Sequence, residues 1–270
     1  MIDRRSWLSA AALTLLAAPA AWAAGTLATV QIEELTWTEL HNRIGRGSTT
    51  VLVPIGATEQ NGPHMVLGKH NVRVRVLAQR IAQRLGNAVV APVLAYVPEG
   101  AIDPPTQHMR YVGTISVPEP VFEATLEAAA RGFRQHGFLD VVLLGDHGGY
   151  RASMERVASK LNREWAARPG TRVHALGEYY RAAALDFPAS LKAQQFSAEE
   201  IGTHAGLADT SLALAADAAL VRKDAAAARV RGASDGVAGD PRRASAELGQ
   251  PGLEHIVEVS VAAIRERTRR

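Results

Sequence analysis

Three segments of the chain gather side chains that bind metals or move protons. The first is residues 56–70, which include Glu59, Gln60, Asn61, His64 and His70. The second is Gly145-Asp146-His147-Gly148-Gly149-Tyr150. The third is Thr203-His204-Ala205-Gly206-Leu207-Ala208-Asp209-Thr210-Ser211. Five of the nine histidines (His64, His70, His108, His147 and His204) fall in turn-like segments flanked by glycine or proline. A lone loop histidine is ordinarily a solvated or helix-capping residue, whereas five together point to a metal site or to acid–base chemistry. Of the five, His108 reads as a loop-packing residue. Cysteine is absent, which excludes disulfides, thiolate metal sites, iron–sulfur clusters and a cysteine nucleophile.

Loops of this kind need rigid elements behind them. Residues 50–56 (TVLVPIG) form a short apolar run ending at glycine, the pattern of a buried strand. Residues 72–85 carry Val72, Val76, Leu77, Ile81 and Leu85 near helical spacing. Residues 88–97 are apolar but broken by Pro92, which predicts an edge or a bend. A helix is predicted over 121–136, stopping at Gly137, and the strand signal is clearest over 139–144 (LDVVLL). An amphipathic stretch over 151–167, a strand over 172–180 and a last helix over 253–267 complete the order, with an Ala/Gly-rich surface excursion at 225–240. Short buried strands alternating with helices imply an α/β domain with a mostly parallel sheet covered on both faces. In such a sheet, ligands bind beyond the carboxyl ends of the strands, where the first two loops stand.

The chain has 270 residues, 47% of them hydrophobic and only 5% aromatic, so aliphatic and alanine packing must build the core. A net charge of +3 is too small and too scattered for a nucleic-acid footprint. Residues 1–23 are set apart. Arg4 and Arg5 precede an apolar run, and Ala21-Trp22-Ala23 supplies small residues at a cleavage site, the order of a secretory signal peptide. Asp3-Arg4-Arg5-Ser6-Trp7-Leu8 resembles the twin-arginine export pattern, with Asp3 and Ser9 departing from it. The expectation is a cleaved, periplasmic protein whose residues 24–270 form one domain free of the membrane.

The loops carry a family resemblance. The first resembles the creatininase (creatinine amidohydrolase) pattern, in which Glu-Gln-His-Gly-Pro-His-Leu-Pro-Leu leads to an Asp. The second is similar to that family's Asn-Gly-His-Gly-Gly-Asn loop, and the third to its His-Ala-Gly-x-x-Glu-Thr-Ser loop. Gly113-Thr114-Ile115-Ser116, and Gly239-Asp240-Pro241 with Ala244-Ser245-Ala246-Glu247, also resemble family segments in the same order. The resemblance runs over residues 30–267. It implies a three-layer α/β/α fold, a two-metal hydrolase acting on a small amide, and a homo-oligomer, often a hexamer.

Carried over residue by residue, the implied ligands match only in part. Glu59 and His147 match, whereas Asn61 replaces a ligating His and His70 replaces the bridging Asp. His64 matches the second His of the first loop. His204 matches a histidine near the reacting group, and Asp209 replaces a Glu. An imidazole cannot bridge two cations as a carboxylate does. The implied site is therefore one divalent metal on Glu59, His70 and His147, with Zn²⁺ favoured and Mn²⁺ or Fe²⁺ compatible. Its bound water would attack the amide carbonyl, and His204 or Asp209 would transfer the proton. Asn61 and His64 would stand behind the ligands, and the backbone of Gly148 and Gly149 would approach the substrate. The rival reading is a non-catalytic family member that keeps at most a small-molecule pocket. Two other chemistries are weak. Gly232-Ala233-Ser234-Asp235-Gly236 lacks the strand and helix that a serine-hydrolase elbow requires, and the turn at 145–149 lacks a nucleotide-binding spacing.

Overall fold

A computed structural model describes residues 29–167, 170–227 and 232–269, so the predicted export segment at 1–23 lies outside the described residues. The apolar run at Thr50 becomes strand β1 (Thr50–Ile55), and β2 (Ala88–Val90), β3 (Asp140–Gly145) and β4 (Arg172–Ala175) join it in one sheet of order β2-β1-β3-β4. Every pairing is parallel; Thr50 aligns with Ala88 on one side and with Asp140 on the other. β1, β2 and β3 are buried along their whole length, as a parallel sheet covered by helices demands.

A proline inside a central strand is unusual, and Pro54 has a specific reason to be tolerated. Thr50 donates its N–H to the Asn87 carbonyl, so alternate residues of β1 direct their N–H groups toward β2. At Pro54 that neighbour has already ended, at Val90, so no ladder hydrogen bond is lost. The expected break at Pro92 is the same event seen from the other chain segment: β2 is a three-residue edge strand, and only Leu94 returns to bridge Ile55.

Helices α1 (Trp37–Gly45), α2 (Lys69–Leu85), α3 (Glu119–Gln135), α4 (Arg151–Glu164) and α5 (Gly177–Arg181) alternate with the strands. Helices α6 (Phe187–Ala193), α7 (Ala198–Ile201), α8 (Leu207–Ala216), α9 (Lys223–Ala227) and α10 (Ala246–Arg267) follow. On one face of the sheet, Leu52, Val142 and Leu144 pack with Leu77 and Ile81 of α2, Leu212 of α8 and Ile256 of α10. On the other, Val51, Val53 and Leu143 meet Phe122 and Leu126 of α3 and Met154 and Leu161 of α4. These are the three α/β/α layers. Among the described residues no helix is long and apolar enough to cross a membrane.

Several readings of the sequence shift in the structure. α2 begins at Lys69, because Lys69, His70 and Arg73 are buried on the same face as Val74 and Leu77, paired there with carboxylates from other segments. The strand predicted over 172–180 stops at Ala175, since the buried Leu176, Tyr179 and Ala182 follow helical rather than alternating spacing. α10 starts at Ala246, capped by Ser245 on the Leu248 N–H, and carries Pro251 early in its course. There α10 touches α8 closely: a Cβ on Gly249 would lie 2.0 Å from the Ser211 carbonyl oxygen. The stretch at 225–240 is more than a surface excursion, for Gly236 and Val237 are buried and Ala238 bridges His204.

Candidate metal centre and cleft

The strand order reverses between β1 and β3, and the crevice outside their carboxyl ends is where a doubly wound sheet binds ligands. The loops after both strands open into a cleft of about 680 Å³ there. The loop after β1 is tied down by its own polar groups. Glu59 donates its N–H to the Leu67 carbonyl, Ala57 donates to Asn71 Oδ1, and Gln60 donates to Thr114 Oγ1. The result is a fully buried Glu59 carboxylate at the base of the crevice.

Around it, Glu59, Glu99, His108 and His147 each present one ligand-type atom, and the four atoms lie within 4.8 Å of one another. Glu59 Oε2 is 3.3 Å from His108 Nε2 and 3.4 Å from His147 Nε2, and Glu99 Oε1 is 3.2 Å from His147 Nδ1. Glu59 Oε2 and both oxygens of Glu99 are buried with no hydrogen-bond partner. Three orphaned carboxylate oxygens beside two imidazoles fit a divalent cation, since buried polar atoms without partners are otherwise costly. The electrostatics agree. Burial and the neighbouring Glu59 charge push the Glu99 carboxyl up to about 9, so without a cation it holds a proton. Burial pushes His147 down to about 3, leaving a neutral imidazole.

Behind these groups runs a buried chain of alternating charge. His70 Nε2 is 2.8 Å from Glu59 Oε1, and His70 Nδ1 is 2.7 Å from Asp146 Oδ2. Arg73 holds Asp146 through Nε at 2.9 Å and Asp209 through Nη1 at 2.8 Å. Lys69 closes the chain on Asp209, which also accepts the Ala205 N–H. Burial alone would raise the Glu59 carboxyl, but the hydrogen bond and charge of His70, with the Lys69 charge behind it, hold it well below the usual range. Burial is likewise outweighed at Asp146, chiefly by Arg73, and at Asp209, by Lys69 and Arg73; both are held low. His70 thus meets a carboxylate at each ring nitrogen, so both of its nitrogens are already engaged within the protein.

The expected residues take up distinct places. Glu59, His70, His147, His204 and Asp209 all gather at the cleft. His204 Nδ1 is 4.0 Å from Glu59 Oε1, and burial and the Lys69 charge push it down to about 4. Asp209 is bound in its ion pairs. Gly148 lines the cleft, and a Cβ there would come within 2.6 Å of Tyr180 Oη, so only glycine leaves that wall open. Gly149 faces His147 instead. Asn61 donates to the Glu59 and Val66 carbonyls, closing its own loop. His64 is buried against Thr210 Oγ1 at 3.1 Å, on α8 rather than in the cleft.

Two members of the cluster escaped the sequence reading. His108, expected to pack a loop, stands instead against Glu59, with Gln60 Nε2 3.1 Å from its Nδ1. Glu99 was not singled out at all. Its signal was available: a lone carboxylate between the apolar run at 88–97 and Gly100, at the end of the path leading from β2.

Residues 33–264 match the creatininase family model, described as creatinine amidohydrolase. The creatinine amidohydrolase of Pseudomonas putida is 30% identical over 125 residues, 46% of each chain. The 3-dehydro-scyllo-inosose hydrolase of Thermotoga maritima is 27% identical over 120 residues, 44% of this chain and 36% of the relative. The matched segment is thus less than half the length of either relative. A solved structure described as "Creatininase Mn" superposes with a TM-score of 0.75 at 26% identity, covering 90% of this chain and all of that one. With the family model spanning nearly all of the described residues and the fold shared end to end, the chain belongs to the creatininase family.

Proposed function

We propose that this protein is a metal-dependent amidohydrolase that hydrolyses a C–N bond of a small linear or cyclic amide, with one divalent cation held by Glu59, Glu99, His108 and His147. The convergence of four ligand atoms within 4.8 Å, three of whose carboxylate oxygens lack partners, is the observation that carries it. Two nitrogens with two carboxylates suit Zn²⁺, and equally Mn²⁺ or Fe²⁺. Such an ion supplies Lewis acidity toward a carbonyl and lowers the pKa of water to about 7.

The protein's own groups do the rest. His70 fixes the Glu59 carboxylate in one orientation through its 2.8 Å contact. His204, neutral at pH 7, takes the proton that water gives up and returns it to the departing nitrogen. Gly148 lines the cleft beside Tyr180, and Ala183, Ala184 and Pro188 add an aliphatic lining for the substrate's carbon frame. The family relatives act on different compounds, and nothing in the cleft favours creatinine. We further propose, from the pattern of residues 1–23, that the protein works in the periplasm.

The test is a panel of small linear and cyclic amides incubated with Zn²⁺-loaded protein, followed by amine release. Hydrolysis of at least one member, abolished by a chelator, restored by Zn²⁺ and lost in Glu59→Gln, is expected. A fully metal-loaded protein inert across the panel would favour the non-catalytic reading.

A further inference from the structure

Lys69 opens α2 inside the cleft, with only 1% of its side chain exposed. Lysines are almost never buried to this extent without a partner. Here Asp209 is the partner, held in turn by Arg73 Nη1 at 2.8 Å and the Ala205 N–H at 3.0 Å. An ammonium carries three N–H donors. Among the described residues Asp209 is its one side-chain acceptor, which leaves donors for a ligand in the cleft that Lys69 lines. Arg73 is differently placed: its Nε and Nη1 are directed at Asp146 and Asp209, and its Nη2 at Asp146 and His70 Nδ1. Of the two cations in this wall, Lys69 is the one whose nitrogen has a single side-chain acceptor among the described residues.

We propose that Lys69 is a further catalytic residue, its ammonium fixed by Asp209 and donating a hydrogen bond to the carbonyl oxygen of the bound amide. This inference rests on the hydrolase reading above. In hydrolysis the water oxygen bonds to the carbonyl carbon while the C=O π pair moves onto the carbonyl oxygen. That pair returns as the C–N bond breaks, and the nitrogen departs with the proton passed through His204. Lys69 keeps its own protons throughout and acts by charge, on the oxygen where negative charge grows. A preorganised cation aimed at that oxygen, in a wall shielded from water, is the arrangement that lowers such a barrier most. Asp146 and Asp209 cannot take this part, because ionised carboxylates only accept, and His70 is engaged by Glu59 and Asp146.

Amide hydrolysis releases a carboxylate, so acetate is a direct probe of the position. Acetate is titrated by calorimetry into Zn²⁺-loaded and metal-free protein, for wild type, Lys69→Met, Lys69→Arg and the double variant Lys69→Met/Asp209→Asn, with zinc content measured in each. The double variant removes both charges of the pair, so no buried carboxylate is left facing a lost partner. Acetate affinity is expected to fall about tenfold or more in Lys69→Met and in the double variant, the scale of one charge-assisted hydrogen bond, with zinc content unchanged. Lys69→Arg should fall between these and wild type. Wild-type affinity in either methionine variant, or a wild type that binds no acetate in either form, overturns the assignment. Failure of the hydrolase reading shows separately, as a protein that takes up no zinc, and the metal-free titration then still reads Lys69.

Discussion

His70 Nε2 stands 2.8 Å from Glu59 Oε1, across eleven residues of loop and the first turn of α2. The histidine lies between two carboxylates, with Asp146 on its other side. That position makes it a support of the Glu59 carboxylate, and the proposed cation would sit with the groups on the far side of Glu59. Glu59 thus uses one oxygen toward His70 and turns the other, unpartnered, toward His108 and His147.

Replacing His70 by alanine should leave Glu59 and Asp146 without their shared partner in a buried site. Removing one member of a buried charged set costs about 3–5 kcal/mol. Urea unfolding of metal-free protein should show a loss on that scale. Metal affinity should weaken without vanishing, because the ligands remain; abolition of metal binding with stability intact would make His70 a ligand after all.

Asp209 contributes, with Glu59 and Asp146, to the acid limb of stability. The Lys69 and Arg73 charges hold its folded carboxyl well below the unfolded value of about 3.9, outweighing burial. As pH falls below about 4 the unfolded chain takes up a proton that the folded chain refuses, so this stabilisation is present above that pH and is lost as pH drops through the folded value. Asp209→Asn should lower stability at pH 7 and flatten the decline between about pH 4 and pH 2. Thermal melts across that range check it, and an unchanged acid slope would contradict the pairing.

Much of the frame is legible in the sequence because apolar periodicity reports burial directly. β1, β3 and α3 fall within a residue or two of their predicted places, and the parallel sheet follows from them. The charged wall is not legible in the same way. Lys69, His70 and Arg73 look like a polar loop end and a solvated helix face, since nothing local shows that Asp146 and Asp209 arrive from other segments to neutralise them. Glu99 and His108 were hidden for the related reason that their partner, Glu59, lies about 40 to 50 residues away in the chain and close by in space.

Export is expected to remove residues 1–23, so that the native protein begins at Ala24. N-terminal sequencing of protein from its own host checks this, and Met1 retained in the cytoplasm would contradict it. Changing Arg4 and Arg5 together to Lys should stop export if the twin-arginine route carries it; undiminished export would assign the general secretory route.

The central claim is that Glu59, Glu99, His108 and His147 hold one divalent cation. Elemental analysis of the native protein, repeated on Glu99→Gln, addresses it most directly. The prediction is one metal per chain in the wild type and a substoichiometric amount in the variant. A metal-free wild type, two metals per chain, or full retention of the metal in Glu99→Gln would contradict the account.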